Sequence, residues 1–255
     1  PECVVERRID VSQLDELVRA MQILGGMAEE HLQGQHDQST HGQRDGGSAT
    51  EPKPTKIRLS IDDISAEHQK IKSKIGEEAY NDLLGTTNWW LASSGSSHAI
   101  MLEHIASEKY GGEIHVTYGV LSREEGEDAT RDSGMDRTQA EKVFDAQYEH
   151  TQNVLKTQYP DGYIEIYRGT WNRKGAIPES GNVSVSMDAL SSWTTDLNTA
   201  RVFATGNKQG RVIKIRVPIE NVWASYETNP KIRERREDEV IVMGRGKTAE
   251  AEVVP

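Results

Sequence analysis

Residues 211–217 read Arg-Val-Ile-Lys-Ile-Arg-Val, and the apolar Ile213, Ile215 and Val217 alternate with Lys214 and Arg216. Successive side chains of a strand point to opposite faces, so a period of two predicts a half-buried strand. Val222-Trp223 and Val240-Ile241-Val242 follow as further strand segments. Upstream of Phe203 the apolar spacing is mostly three and four, which predicts helices. One is expected over 62–84 through Ile64, Ile71, Ile75, Tyr80, Leu83 and Leu84, with Gly85 placed to end it. Trp89-Trp90-Leu91 starts a separate apolar segment, and His98 to Tyr110 follows as a helix stopped by Gly111-Gly112. Thr138-x-x-Glu141 has the form of a capping box, opening a helix with Val143, Phe144, Tyr148, Thr151 and Leu155 on one side. Helices first and strands later make an α+β plan. No Gly-x-Gly-x-x-Gly opens a βαβ unit, which argues against a Rossmann domain.

Three segments within this plan carry chemistry. Residues 163–170 read Tyr-Ile-Glu-Ile-Tyr-Arg-Gly-Thr, a strand after the Pro160-Asp161-Gly162 turn that delivers Arg168 and Gly169 at its end. Residues 190–203 read Leu-Ser-Ser-Trp-Thr-Thr-Asp-Leu-Asn-Thr-Ala-Arg-Val-Phe, a short hydroxyl-bearing strand and then a helix with Ala200 and Phe203. Asp196 and Asn198 are both good N-caps for that helix. Residues 236–244 read Arg-Glu-Asp-Glu-Val-Ile-Val-Met-Gly, so Glu237 and Glu239 enter an apolar strand at positions i and i+2, which share a face. Crowded carboxylates raise one another's pKa, a property suited to acid-base or cation-stabilising chemistry.

An arginine strand, a hydroxyl strand and paired glutamates, in that order, resemble the Arg-Ser-Glu class of mono-ADP-ribosyltransferases over residues 163–244. The resemblance implies a helical N-terminal lobe packed on a mixed β-sandwich around an NAD cleft, with NAD as co-substrate and no metal. Ser192-Trp193-Thr194 falls where the family has Ser-Thr-Ser, with Trp193 and Thr194 as departures. By resemblance Glu239 stabilises the ribosyl cation, Glu237 activates the acceptor, and Ser192 orients Glu239. Arg168 and Gly169 hold the cofactor, with Trp193, Thr194 and Phe203 beside them, Trp193 and Phe203 reading first as packing residues. A Glu at position 237 resembles the arginine-modifying members, so an arginine of an acceptor protein is the expected target. The other readings are an NAD glycohydrolase and a non-catalytic head or structural module with this fold.

The segment from Tyr226 to Glu237 is long and charged. Its run Lys231-Ile232-Arg233-Glu234-Arg235-Arg236 is expected to meet an acidic target through Arg233, Arg235 and Arg236, with Tyr226 or Trp223 as further contacts. Net charge is −11, which argues against general binding to nucleic acid or anionic membranes, although RNA stays open as an acceptor. No stretch approaches the roughly 18 apolar residues of a membrane span, and no secretory leader is evident. A cytoplasmic protein is expected, in a host bacterium for a phage or toxin effector. The lone Cys3 offers no internal disulfide.

Residues 10–32 place Val11, Leu14, Leu17, Val18, Met21, Leu24 and Met27 on one helical stripe, an amphipathic appendage over 1–32. A flexible linker is expected over 33–55 and the transferase domain over 56–255. His36 and His41, five apart, do not share a helix face as metal ligands would. The string His36-Asp37-Gln38-Ser39-Thr40-His41-Gly42 resembles linkers of bacteriophage head-morphogenesis proteins. The first residue is Pro, so a processed or excised chain is expected.

Overall fold

The computed structural model describes residues 61–93, 95–116, 119–170, 177–205 and 210–255. The chain divides between Glu51 and Pro52, and all described residues belong to the second unit. The expected appendage, linker, His36, His41, Cys3 and the domain start near Lys56 lie outside the described residues.

The described residues hold helices α1 (Ile61–Ile75), α2 (Glu77–Ala92) and α3 (Ser97–Tyr110), then strands β1 (Ile114–Val116) and β2 (Gly119–Leu121). Helices α4 (Arg123–Asp132) and α5 (Arg137–Gln158) lead into β3 (Tyr163–Thr170), β4 (Gly181–Ser186) and β5 (Ser191–Thr194). Next come α6 (Leu197–Thr205), β6 (Arg211–Pro218), β7 (Val222–Ser225), α7 (Pro230–Glu234), β8 (Glu239–Val242) and β9 (Thr248–Val254). The molecule is therefore α+β, with helices first as the periodicity implies.

Two of the expected helices differ in their bounds. The helix expected over 62–84 is two, broken at Gly76 with φ 90°. Gly85 does not end the second; its exposed position meets no neighbour, and the helix runs on because Leu83, Thr86, Thr87 and Trp90 bury one continuous face. Trp89-Trp90-Leu91 is thus the last turn of α2. The helix expected from Thr138 starts earlier, capped by Asp136, whose side chain accepts from Gln139 N, while Glu141 pairs with Arg137 at 2.6 Å. A genuine capping box stands at Ser122 and Glu125.

Seven strands form one sheet in the order β4-β9-β6-β3-β5-β8-β7, every pair antiparallel rather than mixed. Strands β3 and β6 pair along their whole length, Tyr163↔Pro218 to Thr170↔Arg211, whereas β3 meets β5 only at Tyr167↔Thr194. The sheet parts on either side of that pair. Ile164, Ile166, Ile213 and Ile215 from one half share an apolar cluster with Trp193, Val240 and Val242 from the other. A second cluster packs Leu190, Trp223, Ile241 and Met243 against Met101, Leu102 and Ile105 of α3 and Phe144 of α5. Trp223, expected on a target-facing loop, is instead fully buried in β7; its ring stacks on Phe144 at 5.3 Å and its indole donates to the Phe144 carbonyl at 3.1 Å. Truncating such a core aromatic costs about 3–5 kcal/mol.

Candidate active site

The parting of β3 from β5 opens a pocket lined by Tyr167, Arg168, Gly169, Ser192, Trp193, Thr194, Phe203, Glu237 and Glu239. The seven residues expected to do chemistry or to hold a cofactor beside Glu237 therefore meet it in one cavity, from four elements and a loop.

Glu239 opens β8 and is buried. Thr194 is its ladder partner, and Ser192 stands two residues along the same face of β5. From there the Ser192 hydroxyl donates to Glu239 Oε1 at 2.6 Å. Burial pushes the Glu239 carboxyl up to about 7; the Ser192 hydrogen bond opposes this, the Glu237 charge adds to it, and a hydrogen bond from Trp90 and the charge of Arg235 oppose it. Trp90, on α2, thus links the helical layer to the carboxylate.

Glu237 does not share the strand face with Glu239 by alternation. It lies in the bend before β8, and Asp238 between them has φ 46°. The loop rather than the pleat brings it to the pocket. The hydroxyl strand holds that loop: Thr194 Oγ1 donates to the Glu237 carbonyl at 2.7 Å, and Thr195 N to the Asp238 carbonyl at 3.1 Å. Thr194, expected beside the cofactor, lines the pocket but commits its hydroxyl proton to this brace. Burial raises the Glu237 pKa, with Arg235 pulling it down.

Arg168 extends from the same face of β3 as the buried Ile164 and Ile166, and its guanidinium lies 5.7 Å from the Trp193 ring centroid. A cation over an aromatic face is held by the ring quadrupole. Trp193 is buried and donates to Ser191 Oγ at 2.9 Å, so it is the packing residue expected. Phe203 is not: it is 50% exposed at the pocket. At Gly169 a Cβ would lie 2.2 Å from the Ala200 carbonyl oxygen and 2.8 Å from Phe203 Cβ. Its missing side chain is therefore required by the close packing of α6 on β3. Asp196 caps that helix, accepting from Asn198 N and Thr199 N.

None of the four expected recognition residues lines the pocket. Arg233 is spent on its own loop, donating to the Tyr226 and Glu227 carbonyls at 3.0 and 3.1 Å. Tyr226 is half-buried against the helical core. Arg235 and Arg236 are exposed, and Arg235 acts electrostatically on both glutamates. Sequence reasoning missed Trp90 and Tyr167. The Trp-Trp pair signalled burial but not a partner in another element.

His104 is buried and comes near Glu108 and Glu127 in a group whose ligand atoms lie within 4.8 Å of one another. Both carboxylates already have cationic partners: Arg123 holds Glu108 at 2.9 Å and Glu127 at 3.1 Å, and Arg137 also pairs with Glu108. Among the described residues no helix is long and apolar enough to cross a membrane. No family model matches this chain, and no curated protein or solved structure matches it.

Proposed function

We propose that this chain is an NAD-dependent mono-ADP-ribosyltransferase of the Arg-Ser-Glu class, its helices and split sheet forming the transferase-type fold. It moves ADP-ribose from NAD to a protein acceptor, an arginine side chain, and releases nicotinamide. The observation that carries this reading is the Ser192–Glu239 hydrogen bond in a pocket that also holds Arg168 and Glu237.

Cleaving the bond between nicotinamide and ribose leaves positive charge on the sugar, an oxocarbenium-like state. A carboxylate held beside it in a partly dry cavity lowers that barrier more than one in water would. Glu239 takes this role, held by Ser192 and Trp90 so that it needs no reorganisation as charge develops. Arg168 binds the pyrophosphate, for which a planar guanidinium suits better than an ammonium. Glu237, on the loop, polarises the incoming guanidine and accepts its proton; its raised pKa suits a base working near neutrality. The bland alternative, a solvated strand end, does not bury one glutamate under a serine hydroxyl and an indole.

Labelled NAD incubated with the protein and a bacterial lysate tests the proposal. A labelled protein band and free nicotinamide are expected, and Glu239→Gln should abolish both. Near wild-type nicotinamide release by that variant would overturn the mechanism. Free ADP-ribose with no labelled protein would identify an NAD glycohydrolase instead.

A further inference from the structure

A second cleft, of about 480 Å³, opens on the helical layer between α2, the start of α3 and the turn joining α4 to α5. Three carboxylates stand at it: Glu78 and Asp82, one turn apart on α2, and Asp136 in the turn. Gln139 ties two of them in place, its backbone N–H donating to Asp136 Oδ1 and its side chain to Asp82 Oδ2, both at 2.9 Å. The cations nearest in sequence are engaged elsewhere: Lys72 with Glu77, Lys74 with Glu149, Arg137 with Glu108 and Glu141, and Lys142 with the Ile75 carbonyl. Among the described residues no lysine or arginine lines the cleft. His98, which does line it, has its pKa lowered by burial and is neutral at neutral pH. Negative charge is thus gathered here without a compensating cation.

Acidic residues alone are common on a surface, but three further features give this cleft the form of a site. Trp89 is 52% exposed, and its indole stacks on the half-buried His98 ring, with centroids 5.7 Å apart and planes 14° from parallel. An indole braced on one face offers the other to a cation. Thr86 is 1% exposed at the cleft, yet its hydroxyl has no hydrogen-bond partner. A buried hydroxyl left unpaired is costly, so it points to a ligand that supplies the missing donor. Gly85 stands within α2, where glycine is less favourable than alanine, although a Cβ there would meet nothing within 4 Å. Packing does not require this glycine; its missing side chain keeps the cleft open.

We propose that this cleft binds the guanidinium of an arginine side chain in a basic protein segment, stacked on Trp89, paired with Glu78, Asp82 and Asp136, and donating to the Thr86 hydroxyl. Arginine fits better than lysine, because its flat cation stacks on an aromatic face, is more weakly hydrated than an ammonium and divides five donors among several acceptors. Trp90, the next residue along α2, reaches Glu239 in the catalytic pocket. That the segment belongs to the acceptor protein, with an arginine other than the modified one seated here, rests on the function proposed above; the binding of arginine does not.

Acetyl-arginine amide titrated into the full chain without NAD tests the binding, followed by NMR of the tryptophan indole N–H signals. The Trp89 signal, identified by its loss in W89F, should shift, and acetyl-lysine amide should shift it far less. D82N should weaken arginine binding about tenfold, roughly the worth of one charge-assisted contact, whereas E250Q, the same change of charge on β9, should leave it unaltered. T86V keeps the shape and removes the unpaired hydroxyl, so it should weaken binding while raising the melting temperature; a threonine with a purely structural role would leave arginine affinity unmoved. G85L has room to fold and should abolish the shift. A Trp89 signal unmoved by arginine, moved equally by lysine, or still moved in G85L overturns the proposal. Shifts confined to Trp90 and Trp193 would place arginine in the catalytic pocket alone and overturn it as well. In transfer assays G85L should raise the KM for an arginine-rich acceptor about tenfold with NAD hydrolysis unchanged, the cost of one such contact. An unchanged KM would overturn the acceptor as the occupant. A chain inert toward NAD would remove the transferase reading, while the arginine titration still decides the cleft.

Discussion

Glu239 holds two requirements in tension. On the proposed mechanism it is ionised where it faces the cation, yet burial brings its carboxyl up to about 7. The rate kcat/KM should therefore rise along an acid limb centred near pH 7, since protonation removes the charge that opposes the oxocarbenium. Ser192→Ala deletes a hydrogen bond to the charged form, which raises the carboxyl further and shifts the limb to higher pH. A hydrogen bond to a charged group is worth about 1.5–3 kcal/mol, so a loss of roughly ten- to a hundredfold below the limb is expected. Glu237→Gln removes a like charge and should move the limb the other way, abolishing transfer to arginine while some hydrolysis remains. A pH–rate profile of each variant checks both signs; a limb indifferent to both would exclude Glu239 as the titrating group.

The loop between β7 and β8 carries Glu237, the residue proposed to activate the acceptor. Its middle is anchored in the helical layer by Asn229, whose side-chain N–H groups donate to Thr87 Oγ1 at 3.0 Å and Gln147 Oε1 at 2.9 Å. Asn229 Oδ1 also accepts from Lys231 N, starting α7. Thr228 adds a bond to Thr151 at 3.0 Å, so the loop is moored by buried polar groups from α2 and α5. Asn229→Ala leaves the buried Gln147 Oε1 without this donor, at about 1–3 kcal/mol. The variant should melt several degrees lower and lose transfer more than NAD affinity, because Arg168 sits on the far strand. Thermal unfolding with NAD calorimetry tests this; equal loss of binding and transfer would mean that the loop shapes the whole pocket. Elements were legible where one period persisted. The alternation in β6 and the stripes of α3 and α5 predicted themselves, whereas α1 and α2 merged into one expected helix because Ile71, Ile75, Leu83 and Leu84 stay roughly in register across Gly76.

For the whole molecule, the division between Glu51 and Pro52 sets off the unit that contains the entire pocket. A chain beginning near Lys56 should fold and release nicotinamide at the wild-type rate, and loss of the preceding residues should alter oligomeric state or acceptor choice. Gel filtration and a nicotinamide assay measure the two, and an insoluble or inactive product would assign those residues to the catalytic core. The α+β class and the pocket residues other than Tyr167 were legible in the sequence alone, since hydrophobic period and the order arginine, hydroxyl, glutamate pair are local properties of the chain. What only tertiary structure decided is how these residues are held. The opening of the sheet at the single pair Tyr167↔Thr194, the reach of Trp90 to Glu239, and the contact of His115 with Asp188 all join residues tens of positions apart. Such contacts follow from close packing between elements, and no periodicity within a single element encodes which partner will be met.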